Sequence, residues 1–121
     1  TMKVYQEQAR IITEMAEKSD CVIVGRCADY ILKELKPFRI FVYADMESKI
    51  KRCREKAPAD EQLTDRELRQ QISGIDKKRA KYYEFYTGHS WGDKLNFDLC
   101  INTTQTVIKE IIPAIAKLFL S

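Results

Sequence analysis

The stretch Cys21-Val22-Ile23-Val24-Gly25-Arg26 decides the reading of this chain. It is short, continuously apolar and largely β-branched up to the glycine, which suits a strand covered on both faces better than a half-exposed one. A second such run, Phe38-Arg39-Ile40-Phe41-Val42-Tyr43, follows after a segment, Ala28 to Leu35, that can form about two helical turns before Pro37 ends it. Strand, short helix, strand is the pattern of a parallel sheet with crossovers. Phe97-Asp98-Leu99-Cys100-Ile101-Asn102 is read as a third strand. The expected fold class is therefore α/β, with a short parallel sheet of about three strands and helices on its faces.

Working outward, Tyr5, Ala9, Ile12, Met15 and Ala16 recur mostly at three- and four-residue steps and predict an amphipathic helix over residues 3–18. After the last strand, Val107, Ile108, Ile111, Ile112, Ile115, Leu118 and Phe119 have helical spacing, so a helix should pack on the sheet there. Pro113 should kink or break it. Between the second and third strands the chain is helical and polar. Asp45 can cap a helix reaching about Lys56, and Ala57-Pro58-Ala59-Asp60 interrupts it. Thr64 and Glu67 form a capping box that opens a long helix towards Phe85, with Gly74 as a weak point.

The 121 residues are 45% hydrophobic and 32% charged, which fits one globular domain rather than a disordered or fibrous chain. No window reaches the roughly 18 apolar residues of a membrane span, and the polar start lacks a signal-peptide core, so a cytoplasmic protein without a membrane partner is expected. The four cysteines form no Cys-x-x-Cys pair, and Cys21 and Cys100 lie in apolar runs as reduced core residues do. Disulfides and zinc are both disfavoured. His89 is the single histidine, so no multi-histidine metal site and no Ser/His/Asp or Cys/His set can be assembled.

The net charge of +3 is unevenly spread: Lys49 to Lys81 holds eleven Lys or Arg against six Asp or Glu. A local cationic segment favours a compact polyanion such as a nucleotide phosphate, with a solvated helix face as the bland alternative. Four places could carry chemistry. Arg26, just past the first strand, stands where open α/β sheets bind ligands, with Asp29 three residues on; a surface Arg26–Asp29 pair is the competing explanation. Asp76 and Arg79 share a helix face and could meet a sugar or base and a phosphate, although taken in isolation an exposed ion pair is the better explanation. Arg52 and Arg54 are the best candidates for mobile arginines that neutralise a migrating phosphoryl group. The run Tyr82 to Gly92 could stack bases, but a packed helix terminus at Gly88 is favoured.

Taken together, Cys21 to Leu32, Asp76-Lys77-Lys78-Arg79 with Tyr82-Tyr83, Thr87-Gly88 with Trp91-Gly92, and Asp98 to Asn102 resemble, in order and spacing from about Tyr5 to the end, the cytidylate-kinase-like family. The resemblance implies a partial P-loop kinase fold over 1–121, the carboxy-terminal part of one kinase domain, with a helical lid insertion at about 45–92. It implies transfer of the γ-phosphoryl of ATP to a nucleoside monophosphate with magnesium. By the same resemblance Arg26, Asp29, Asp76 and Arg79 would bind the acceptor, Arg52, Arg54 and Arg79 would serve catalysis, and Asn102 and Thr103 would lie near the donor base. The sequence departs from the pattern at Cys27, where relatives carry an acidic residue beside the arginine, and at Ile72, where they carry another arginine.

Glycines occur only at 25, 74, 88 and 92, so the chain has no Gly-x-x-x-x-Gly-Lys-Ser/Thr phosphate loop. The expectation is a fragment that is inactive alone, whose open sheet edge invites self-association. A P-loop kinase for another small acceptor and a non-catalytic nucleotide-binding or self-associating module are the alternatives. A nucleic-acid partner ranks below these, because it rests only on the basic segment and its tyrosines.

Overall fold

A computed structural model describes residues 2–58 and 63–119, so the expected interruption at Ala59 and Asp60 lies outside the described residues. Those described contain five α-helices and a two-stranded parallel sheet. The chain divides into two compact units, one built from residues up to Arg39 with Arg79–Asp98, the other from Ile40–Lys78 with residues from Leu99 onward.

In the first unit, helix α1 (Met2–Lys18) turns Ile12 inward against Ala28 and Leu32, with Ala16, Ile23 and Ile31 closing the cluster. Ala28 opens helix α2 (Ala28–Ile31), which tightens into a 3₁₀ turn at Lys33–Leu35 before Lys36 takes a left-handed conformation ahead of Pro37. The expected two turns are thus present in a shorter and tighter form. The last part of helix α4 (Asp65–Thr87) belongs to this unit and lays Tyr86 flat on Tyr5, ring centroids 4.2 Å apart. Gly88 ends α4 with φ 73°, its N–H donating to the Glu84 carbonyl at 2.9 Å, while the Thr87 hydroxyl donates to the Tyr83 carbonyl. The aromatic run before Gly88 is therefore a packed helix terminus, as expected.

In the second unit, strands β1 (Ile40–Tyr43) and β2 (Leu99–Asn102) pair in parallel, Ile40 facing Leu99 and Tyr43 facing Asn102. Helix α3 (Met46–Lys56) starts on Asp45, whose carboxylate accepts from the Ser48 N–H at 2.8 Å. That hydrogen bond holds the Asp45 carboxyl below its usual range. Thr64 and Glu67 make the capping box, with the Glu67 N–H donating to Thr64 Oγ1 at 3.2 Å and the Thr64 N–H to Glu67 Oε1 at 3.1 Å. Ile50, Leu68 and Ile72 form the core between α3 and the first part of α4. Around them run three ion pairs, Lys49–Asp76 at 2.6 Å, Arg69–Glu47 and Arg54–Asp65.

Four expectations need correction. The sheet has two strands, not about three, among the described residues: 21–24 has no regular secondary structure and no strand partner, with Ile23 packed against the core and Val22 and Val24 94% and 88% exposed. A β-rich sequence becomes a strand only where a neighbour accepts its backbone bonds. The apolar helix α5 (Ile108–Ala116) does not bury its stripe as predicted, since Ile108 and Ile112 remain exposed. Of the kink or break expected at Pro113, the break is absent: α5 continues to Ala116 and then narrows into a 3₁₀ turn at Lys117–Phe119. Cys21 and Cys100 are exposed rather than core residues, and the buried cysteine is Cys27. No helix among the described residues is long and apolar enough to cross a membrane.

Gly74 lies within the unbroken α4, and a methyl group built there meets nothing within 4 Å. Gly74→Ala is expected to raise stability by about 0.5–1 kcal/mol by restricting the unfolded chain. Urea denaturation followed by circular dichroism would register this as a higher midpoint at unchanged slope.

Candidate functional site

The turn after the extended segment concentrates backbone constraint. Gly25, Arg26 and Cys27 take φ of 72°, 56° and 58° in succession, so two residues with side chains occupy the left-handed region that usually belongs to glycine. Such conformations cost of order 1 kcal/mol each and persist only where surroundings enforce them. Here the turn is closed by the Ala28 N–H donating to the Gly25 carbonyl, and Cys27, 4% exposed, anchors it in the core. Burial, aided by the negative charge of Asp29, pushes the Cys27 thiol up to about 11, so it is an inert packing group rather than a nucleophile.

Cys27 sinks and Arg26 is left exposed. Its guanidinium interacts with the Tyr82 hydroxyl on α4: burial raises the Tyr82 pKa, and Arg26 works against that rise. Asp29 does not form the surface pair with Arg26 that the sequence allowed as an alternative. Its carboxylate instead accepts from the Tyr83 hydroxyl at 2.7 Å. Tyr83 is 7% exposed, and burial first, then the bond to Asp29, drives its pKa far above the ordinary 10.0. Arg79 lies on the same helix, three and four residues before Tyr82 and Tyr83, one turn away. Arg26, Asp29 and Arg79 therefore all belong to the first unit, joined through Tyr82, Tyr83 and the helix that carries them.

The remaining candidates belong to the second unit. Asp76 accepts from Lys49 Nζ at 2.6 Å, a pairing in which α3 supplies the cation. Arg52 reaches from α3 to the segment after β2, where Nη1 donates to Thr103 Oγ1 at 3.0 Å and Nη2 to the carbonyls of Thr103 and Thr106. Thr103, 2% exposed, donates from both N–H and hydroxyl to the Tyr43 carbonyl at 2.8 and 3.0 Å. Asn102 Oδ1 accepts from the Thr104 N–H at 3.0 Å, and Thr104 Oγ1 accepts from the Asp45 N–H at 2.9 Å. The structure thus brings Arg52, Asn102 and Thr103 together at the carboxyl ends of β1 and β2, where parallel sheets bind ligands. Arg54 stands apart, paired with exposed Asp65.

Sequence reasoning missed Tyr83 as the partner of Asp29 and Lys49 as the partner of Asp76. Asp29–Tyr83 joins residues 54 positions apart and carries no local signal. Lys49–Asp76 joins residues 27 positions apart and carries none either. Among the described residues no three His, Cys, Asp or Glu side chains gather as a metal site.

A model of the cytidylate kinase-like family matches residues 1–105. The chain is also similar to a solved structure, the crystal structure of an uncharacterized protein from Eubacterium ventriosum ATCC 27560, at 30% identity and a TM-score of 0.83. That match covers 95% of this chain and 64% of the other, so the chain spans about two thirds of its relative's length. No curated protein matches significantly.

Two outcomes follow from the geometry. A phenol held protonated in the fold contributes stability that is whole below its ordinary value of 10.0 and is lost as pH rises above it. Tyr83→Phe should flatten that alkaline loss relative to the parent chain, as read from urea midpoints at roughly pH 8 and pH 11. Arg52→Gln should speed amide hydrogen exchange at Thr103 and Thr106 at least several-fold while leaving the amides of α1 unchanged.

Proposed function

The chain belongs to the cytidylate kinase-like family, and we propose that it supplies the acceptor-binding and lid parts of a nucleoside monophosphate kinase. The observation that carries this reading is the family match over residues 1–105. Under it, the γ-phosphoryl of ATP is transferred to a phosphate oxygen of the acceptor nucleotide, the bond to the bridging β,γ-oxygen breaks, and ADP leaves. Magnesium would enter with ATP, since this ion is usually held through substrate phosphates and few protein groups.

Arg26 and Arg79 take the acceptor phosphate. Arg26 beside Tyr82, one helical turn from Arg79, supports a shared anion site. Asp29 acts differently from the family pattern in this proposal: its carboxylate, engaged by Tyr83, positions the turn that presents Arg26. Asp76 accepts from a hydroxyl or amino group of the acceptor, with Lys49 holding its carboxylate in place. Arg52 and Arg54 serve the donor phosphates. A guanidinium has five N–H donors, and the three bonds of Arg52 to Thr103 and Thr106 leave its Nε–H and one Nη1 hydrogen for a phosphate oxygen. The Arg54–Asp65 pair is exposed, and such pairs are worth little, so Arg54 is released at small cost. Asn102 and Thr103 shape the loop facing the donor base.

Positioning accounts for most of the catalysis in phosphoryl transfer, and well-placed groups supply about 7–11 kcal/mol of barrier reduction. The sequence has no Gly-x-x-x-x-Gly-Lys-Ser/Thr loop to hold the donor phosphates, so the 121-residue chain alone is expected to be inactive. The test is ADP release from ATP and magnesium with each nucleoside monophosphate, on this chain and on any longer form its gene encodes. Activity confined to a longer form, reduced at least a hundredfold by Arg79→Ala, is the expected result. Equal activity in both forms would contradict it, and activity with a non-nucleotide acceptor alone would move the proposal to another small-molecule kinase.

A further inference from the structure

Every third residue after α2 is a cation. Lys33, Lys36 and Arg39 follow one another at that interval, and the first two bracket a 3₁₀ turn closed by the Lys36 N–H donating to the Lys33 carbonyl at 3.2 Å. Lys36 leaves the 3₁₀ turn in left-handed backbone, and Lys33 and Lys36 are brought together as lining of one cavity. Together with Pro37, Phe38, Arg39 and Asp98 they line an open cavity of about 350 Å³ within the first unit. This volume falls within the range of small-ligand sites, roughly 300–1,000 Å³. None of the residues assigned to the kinase site lines it.

The charge balance of the cavity is the informative feature. Asp98 is the one carboxylate among the lining residues, against three cations. Its Oδ2 is committed first to the backbone, accepting from the Arg39 N–H at 2.7 Å, which holds the Asp98 carboxyl below its usual range. The Arg39 guanidinium meets the same carboxylate only at 3.4 and 3.5 Å, longer than the 2.7–2.9 Å of a good charge-assisted bond. Asp98 therefore neutralises one charge imperfectly and leaves a surplus of about two. Lys33 is exposed and its ammonium lies over the Tyr30 ring, 4.1 Å from the centroid; Tyr30 is outside the cavity lining, so this weak contact leaves the charge uncancelled and an anion in the cavity would draw the ammonium off the ring. Three like charges around one concavity repel unless an anion joins them. A planar guanidinium with two ammonium groups suits a tetrahedral dianion, and the apolar wall of Pro37 and Phe38 suits an organic group attached to it.

We propose that this cavity is a binding site for a phosphoryl dianion, either free phosphate or a phosphate monoester. The inference is independent of the kinase reading, because it uses residues that reading leaves unassigned. The experiment is a titration of the full chain followed by ¹H–¹⁵N spectra, with inorganic phosphate, phenyl phosphate and phenol as separate arms. Both phosphates are expected to shift the amides of Lys33, Lys36, Arg39 and Asp98 saturably, and phenol is not. Tighter binding of phenyl phosphate identifies a monoester site resting on Phe38, and equal binding identifies a site for phosphate itself. Lys36→Asn, which suits the left-handed backbone at this position, should weaken binding about tenfold, the size of one charge-assisted contact. Lys33→Gln should do the same, and Lys109→Gln, on α5, should leave it unchanged. Absence of saturable shifts at 33–39, or phosphate affinity unchanged in both Lys36→Asn and Lys33→Gln, would overturn the site.

Discussion

The second unit depends on a single buried hydroxyl. Thr103 Oγ1 donates to the Tyr43 carbonyl and accepts from Arg52, while the Thr103 N–H reaches the same carbonyl. A hydroxyl this deep costs free energy unless its bonds are made, and here both its donor and an acceptor role are filled. The arrangement fastens the end of β1 to the segment after β2 and brings α3 to both. The Thr104 hydroxyl, bonded to the N–H of Asp45, repeats the tie one residue later. With two strands, the sheet has little else to fix its register, so the polar bonds at its carboxyl edge carry a load that neighbouring strands bear in a wider sheet.

The first unit is organised differently, around a turn whose conformation its own residues disfavour. Gly25, Arg26 and Cys27 all adopt left-handed backbone, and the apolar cluster of Ile12, Ala28 and Leu32 holds them there. That strain has a geometric result. It buries the thiol of Cys27 while leaving the guanidinium of Arg26 outward beside Tyr82. Asp29 and Tyr83 complete the support from below through a bond between a buried phenol and a half-buried carboxylate. An arginine presented in this way has lost little freedom to its own ion pairing, a useful property in a group proposed to bind phosphate.

Much of the local structure was legible in the residues. Asp45 and the Thr64–Glu67 box start helices where capping chemistry says they should, and Gly88 stops one. The runs at 38–43 and 97–102 became the paired strands, each two residues shorter at its start; the Asp98 N–H still donates to the Arg39 carbonyl, but the Arg39 N–H goes to the Asp98 carboxylate rather than to backbone. The run at 21–24, Cys-Val-Ile-Val, is richer in β-branched residues than either and made no strand, because pairing is a property of two segments and composition describes one. Val22 and Val24, with Ile108 and Ile112 of α5, show the same limit: apolar patterning states which face wants cover and not whether cover is present.

Residue order and local chemistry specify the α/β class, the helix boundaries set by caps, the uneven charge and, through motifs in register, the family. These are properties of local spacing and of order along the chain. Tertiary structure alone decided that Asp29 bonds to Tyr83 rather than Arg26, that Asp76 is met by Lys49, and that Arg52 closes on Thr103. Each of these joins residues 27 to 54 positions apart, and a hydrogen bond requires atoms within about 3 Å, a condition that periodicity cannot express.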